Sequence, residues 1–246
     1  MMKLLLQNPD DRDYIMATAK AIYSHAPNLV SRPNTEKYDI DFDNGKLLRL
    51  HGGGRADVYC FEYNNRRCCA KYFHDHRLFS RIKNFLGRGR AFSAYHKGSI
   101  LMQMDIEAPK VVGLVMRNSY SPPILIMEMI EGFEQINLQL ENWKKNTASL
   151  INDSRIITLA SSFGLFTQKL HNQNVFHADF SPRNVLVKKA NNTYLCYLID
   201  LEDALFSGQS KHDIAHFEER LHRYLSAQEA EQFMSYFYTQ FNSKRS

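Results

Sequence analysis

The sequence predicts a two-lobed α+β protein, strand-rich in its first half and mainly helical in its second. Three observations carry this expectation. Alternating apolar residues and Asn-Gly or Asn-Asn turns crowd the chain up to about residue 131. A short connector follows at Glu131-Gly132, and beyond it apolar residues recur at the three- and four-residue steps of a helix. The expected boundaries are 1–131 for the first lobe and 132–246 for the second, together one domain, with any cleft between them.

Taken in order, residues 11–25 read as a helix with Tyr14, Ala17 and Ile22 facing inward. "YDIDFDNGKLLRL" (38–50) reads as a hairpin turning at Asn44-Gly45, and "GGGRADVYCFEY" with "RRCCAKYF" as a second strand pair around Asn64-Asn65. A helical pattern runs from about Arg77 to Leu101, interrupted near Gly87 and Gly89, before the strands "PKVVGLVMRN" and "PPILIMEMI". After Gly132 a mainly helical region covers about 140–172, with Ile156, Leu159, Phe163, Phe166 and Leu170 on one face. "VFHADFSPRNVLV" (175–187), a turn at "KKANN", the strand "YLCYLID" and an aromatic-rich helical tail over about 211–242 complete the chain.

Composition excludes several classes. With 246 residues, 44% hydrophobic and 23% charged, the chain is ordinary for a soluble globular protein. No segment approaches the ~18 apolar residues that cross a bilayer. The start, "MMKLLLQNPDDRD", turns acidic too soon for an export signal. Cys60, Cys68, Cys69 and Cys196 follow no CxxC spacing, so neither a zinc site nor a disulfide framework is expected. A reducing compartment suits them, and the cytoplasm is the expected location. The net charge of +5 is mild and no nucleic-acid motif accompanies it, so no nucleic-acid partner is expected.

Four stations along the chain carry chemistry. Gly52, Gly53 and Gly54 stand between two strands, where glycines let backbone N–H groups approach a phosphate without a Cβ in the way. Lys71 follows on the next strand, a point charge suited to phosphates. His177, Asp179 and Asn184 form an HxDxxxxN run. Asp200 ends an apolar strand, a costly place for a carboxylate unless it is paired or binds a metal. Singly, each has a plainer reading: a turn, a solvated lysine, polar turn residues, a helix cap. The ordered set points to phosphoryl transfer.

"LIMEMIEG", "KLHNQNVFHADFSPRNVLV" and "YLIDLED" resemble the hinge, catalytic loop and metal-binding segment of the protein-kinase-like fold. More narrowly, with "RAFSAYHKGSILMQMDIEAPKVVG", they resemble bacterial lipopolysaccharide core kinases, which phosphorylate heptose or Kdo sugars; the likeness covers about residues 46–225. The resemblance implies ATP and Mg²⁺, a sugar hydroxyl as acceptor, and a place at the cytoplasmic face of the inner membrane. It implies Asp179 as base, with His177 in the same catalytic loop, Asn184 and Asp200 as metal ligands, and Lys71 with the glycines as phosphate contacts. Adenine would be received by the backbone of Glu128 to Ile130.

The departures from protein kinases are informative. Ala178 stands where an arginine reads a phosphorylated activation loop, Ser181 where serine kinases often have lysine, and Glu202 where a glycine usually follows the metal aspartate by two. Only 46 residues follow Asp200, too few for a peptide-binding activation segment and a full set of helices. Between Lys71 and Asp105 the only acid is Asp75, so the helix glutamate that orients the lysine is not identifiable. Arg183 has no assigned role.

"FHDHRLFSRIKNFLGRGR" places Leu78, Phe79, Ile82, Phe85 and Leu86 at helical spacing among Arg77, Arg81, Lys83, Arg88 and Arg90. Its plainer reading is an amphipathic helix packing on the first lobe with a solvated basic face; the sharper one makes residues 77–90 the place of peripheral contact with an anionic membrane or a phosphorylated glycolipid. Two other classes compete with a sugar kinase: a small-molecule kinase of the aminoglycoside or choline type, and a nucleotide-binding pseudokinase with a regulatory role.

Overall fold

The computed structural model describes residues 3–29, 39–42, 45–52, 56–74, 88–118, 121–207 and 210–243. The chain divides into two compact units, one comprising Met1–Gln103 with Pro109–Ile130, the other Met104–Ala108 with Glu131–Ser246.

Strand formation in the first unit follows from β-rich residue types and left-handed turn residues. β4 (Ala56–Tyr63) and β5 (Arg66–Phe73) pair antiparallel from Tyr63↔Arg66 outward. Their two-residue turn is Asn64-Asn65, with φ of 50° and 60°, a conformation asparagine tolerates and a hairpin needs. β2 (Asp39–Phe42) and β3 (Gly45–Gly52) form the other predicted hairpin, but Gly45, expected in the turn with Asn44, is instead the first residue of β3 and pairs with Phe42; residues 43 and 44 lie outside the described residues. β6 (Val111–Met116) and β7 (Ile124–Glu128) join them, and β1 (Lys3–Leu6), which the sequence reading did not anticipate, pairs with β6. The resulting seven-stranded sheet has the order β1-β6-β7-β5-β4-β3-β2.

The sheet's core lies under α1 (Arg12–Leu29), which presents Tyr14, Ile15, Ala19 and Ile22 to Leu47, Tyr59, Phe61, Cys68, Ala70 and Tyr72. Alternation along β5 sends Cys68, Ala70 and Tyr72 into that core and turns Lys71 to the other face. α2 (Arg90–Gln103) buries Ala91, Ala94, Tyr95, Gly98 and Leu101 at helical steps and packs on β6 and β7. Cover on both faces explains why β6 and β7 read as unbroken apolar runs. The predicted helix from Arg77 thus begins, within the described residues, at Arg90; residues 75–87 lie outside them.

In the second unit the predicted helical region 140–172 is two helices. α3 (Ile136–Asn146) stops before α4 (Ser154–Asn172), which starts on Asp153, whose Oδ1 accepts from Arg155 N–H at 2.8 Å. All five residues expected on the inner face of α4 are buried. The predicted tail is likewise two helices, α5 (Ser210–Leu221) and α6 (Ala227–Phe241). Gly164 lets α4 and α6 meet closely: a Cβ there would stand 2.5 Å from Phe237 O.

Three short strand groups complete this unit. β10 (Val185–Ala190) pairs with β11 (Thr193–Leu198) around Asn191, at φ 54°, and with β8 (Glu134–Gln135). β9 (Phe176–His177) pairs with β12 (Ala204–Leu205). The early segment Met104–Ala108 closes the end of β11, where Leu198 N–H donates to Glu107 O at 2.9 Å and Lys169 Nζ reaches Glu107 Oε1 at 2.7 Å. No described helix is long and apolar enough to cross a membrane.

Candidate active site

The loop from His177 to Asn184 is held from below and open above. Phe180 is 1% exposed and lies in an aromatic cluster, its ring 5.5 Å from Phe163 and 5.7 Å from Phe217. Anchoring that residue turns its neighbours Ala178 and Asp179 outward; the Asp179 side chain is 52% exposed. The loop's backbone groups are paired in turn. Ala178 N–H donates to Asp203 O, Asn184 N–H to Ser181 O, Ile199 N–H to Asn184 O and Asn137 N–H to Pro182 O.

Four predicted residues meet here. Asn184 Nδ2 donates to Asp179 O at 2.8 Å and to Asp179 Oδ2 at 3.2 Å. That fixes the amide and leaves its Oδ1 turned elsewhere as an acceptor. His177 is 1% exposed, and its Nε2 lies 3.2 Å from both Ile199 O and Asp200 O. Two carbonyl acceptors require the proton on Nε2, so the ring ties the loop to the backbone of Asp200. Asp200 has φ 64° and ψ 52°, the left-handed region that aspartate enters more readily than most residues.

Helix α5 also holds the loop, which the sequence reading missed. Buried Asp213 accepts His177 N–H at 2.9 Å through Oδ2. His216 Nδ1 lies 2.9 Å from Phe180 O, and Arg183 Nε donates to Tyr224 OH at 2.8 Å. Arg183 therefore fastens the loop to the turn after α5.

In the first unit, Gly52 pairs with Asp57 and Lys71 with Val58, so the two predicted phosphate contacts flank β4. Gly53 and Gly54 lie outside the described residues. Lys71 Nζ lies 5.3 Å from the Phe73 ring centroid. Glu128 N–H is donated to Lys110 O at 2.8 Å, so it is no donor for an adenine ring; Ile130 follows two residues after β7. The helix α2 carries no acid, in keeping with its sequence.

Beside Gly52 lies a buried ion cluster with no counterpart in the sequence reading. Arg49 Nη2 lies 2.6 Å from Asp57 Oδ1, His74 Nε2 lies 3.3 Å from Oδ2, and the Tyr59 hydroxyl donates to Oδ2 at 3.4 Å. Burial alone would raise the Asp57 pKa; the bonds from His74 and Arg49 outweigh it and hold the carboxyl below its ordinary value. Arg49 and Asp57 come from the two strands that flank the glycines, Arg49 opposite Tyr59 and Asp57 opposite Gly52.

Among the described residues no group of three His, Cys, Asp or Glu side chains could hold a metal ion by itself. Asn184 and Asp200 are nevertheless hard oxygen donors, the type that suits a divalent cation completing its shell with phosphate and water.

The sequence pattern of the lipopolysaccharide kinase (Kdo/WaaP) family matches residues 50–238. The chain belongs to that family. It is an ATP-dependent kinase that phosphorylates a lipopolysaccharide core sugar, and its fold is protein-kinase-like. Among solved structures it is similar to "WaaP in complex with acyl carrier protein", at 13% identity and a TM-score of 0.53, over 96% of this chain and 88% of that one. No curated protein sequence matches it.

Proposed function

We propose that Asp179 accepts the proton of the sugar hydroxyl, and that Asn184 and Asp200 hold Mg²⁺ against the nucleotide phosphates. The observation that carries this reading is the open carboxylate of Asp179, bonded on one side to the Asn184 amide. That bond orients the carboxylate while leaving Oδ1 free of a hydrogen bond. The cation, when bound, would neutralise phosphate charge. Asn184 would meet it through Oδ1 and Asp200 through its carboxylate. His177 acts through the backbone of Asp200 and Asp213 through the backbone of His177, so both position the loop and neither touches substrate. Lys71 and Gly52 are the proposed phosphate contacts, and the adenine ring would meet the backbone between Glu128 and Ile130.

Residues 77–90 are the proposed contact with the anionic surface that carries the acceptor, at the inner membrane's cytoplasmic face. Charge reversal of Arg77, Arg81 and Arg88 is expected to weaken sedimentation with anionic vesicles; unchanged binding removes this part of the reading.

The deciding experiment is phosphotransfer from ATP to dephosphorylated lipopolysaccharide core, read by mass spectrometry as a gain of one phosphate. Asp179→Asn should slow the gain about 10²- to 10⁴-fold and leave the ATP-induced thermal shift intact. Turnover near the wild-type rate would refute the assignment of the base.

A further inference from the structure

Beside Asp179 stands a histidine that neither the sequence motifs nor the proposed mechanism uses. His216 sits on α5, its side chain 27% exposed, with Nε2 3.8 Å from Asp179 Oδ1 and Nδ1 2.9 Å from Phe180 O. A carbonyl can only accept, so Nδ1 carries a proton and is the ring's donor on this side. Arg220, one turn further along α5, places Nε and Nη2 each 3.4 Å from that Nε2. A guanidinium can only donate, so in this contact Nε2 is the acceptor and offers no proton.

The consequence for Asp179 is geometric. At 3.8 Å, Oδ1 is beyond a hydrogen bond to the ring, and a bare Nε2 has no proton to offer it. The carboxylate is confined on this side without its acceptor capacity being used, while Asn184 holds the other oxygen. Among the described residues, Asp179 and Arg220 bring charged groups within 4 Å of Nε2. Asp213, one turn back, is committed to His177 N–H, and Arg183 to Tyr224. Phe180 is already anchored by the aromatic cluster, so the loop's packing does not depend on the histidine.

We propose that His216 is a positioning residue for Asp179: it fixes the peptide that follows the aspartate and keeps Oδ1 open toward the acceptor hydroxyl, with Arg220 locking the ring. The proposal rests on Asp179 being the proton acceptor. In the full chain, His216→Ala should lower kcat about 10- to 100-fold, the scale of a small misplacement at the reacting centre. KM for ATP and the melting temperature should stay as in the wild type. His216→Asn, whose amide can still donate to Phe180 O, should recover most of the lost kcat, and Arg220→Ala should fall between the two.

Three outcomes overturn the idea: unchanged kcat in His216→Ala, an asparagine variant as impaired as the alanine one, or a KM for ATP that rises in step with the loss of kcat. Asp179→Asn, run in parallel, separates the two readings. An inactive Asp179→Asn beside a fully active His216→Ala sinks the positioning role alone, whereas an active Asp179→Asn sinks both.

Discussion

Asp57 in the first unit and Asp179 in the second are both held by hydrogen-bond donors, but to opposite effect. Asp57 is fully buried and surrounded by Arg49, His74 and Tyr59, which occupy both of its oxygens. Asp179 is half in solvent, with one oxygen bonded to Asn184 and the other facing a histidine beyond bonding distance. A carboxylate saturated with donors is kept ionised and has nothing left to do but hold strands together. One that keeps an open oxygen can take a proton.

The contrast can be broken by exchanging each carboxylate for its amide. The largest effect belongs to Asp179→Asn: kcat should fall about 10²- to 10⁴-fold, the range of a general base, with the urea midpoint unchanged. Asp57→Asn should do the reverse. It removes the carboxylate charge from a buried pair with Arg49 and His74, a loss of about 3–5 kcal/mol, visible as a lower urea midpoint. If Asp57→Asn is as stable as the wild type, the cluster is not what fastens β3 to β4.

A third carboxylate sharpens the comparison at smaller amplitude. Glu229, 3% exposed, accepts from Leu150 N–H at 2.9 Å, from Ser226 N–H at 2.9 Å and Oγ–H at 2.8 Å, and from Lys144 Nζ at 3.3 Å. Burial pushes its pKa up, but these donors prevail and bring it from 4.5 down to about 2. Because the folded value is the lower one, the stabilisation is complete above pH 4.5 and is lost as pH falls toward about 2. Glu229→Gln should therefore cost about 1.5–3 kcal/mol at neutral pH, the worth of a hydrogen bond to a charged group. In urea titrations the gap to wild type should close between pH 4.5 and 2. A gap independent of pH would mean that the number of acceptor oxygens, not the charge, is what α6 requires at this position.

Local signals explain what the sequence made legible. The hairpins around Asn64-Asn65 and Asn191 were readable because left-handed turns need particular residues. The inner face of α4 was readable because its period is that of a helix, and the HxDxxxxN loop because its members lie within eight residues. The division of the long helical regions was missed although Asp153, and Ser226 with Glu229, are start signals of a recognisable kind, the latter a capping box. β1 escaped because "KLLL" does not alternate, and β8, β9 and β12 because two residues carry no pattern.

The supports of the site were beyond reach for another reason. His216 lies 36 positions from Phe180, and Asp213 36 positions from His177. Nothing periodic joins such pairs. An isolated histidine or aspartate on a helix reads as a solvated residue until the fold brings a backbone carbonyl or amide against it. The same holds for Arg49 and His74, ordinary surface types that reach Asp57 only through strand register.

The segment 104–108 has a bearing on how the chain is made. It leaves the first unit after Gln103, gives Glu107 to the end of β11, and returns at Pro109 to supply β6 and β7. As the chain emerges during synthesis, the seven-stranded sheet can close once Ile130 is out, whereas residues 104–108 must wait for Lys169 and Leu198. Cutting the gene between codons 130 and 131 would thus not yield two whole halves. The first product would carry a tongue with nothing to bind, and the second would begin life with an open strand end.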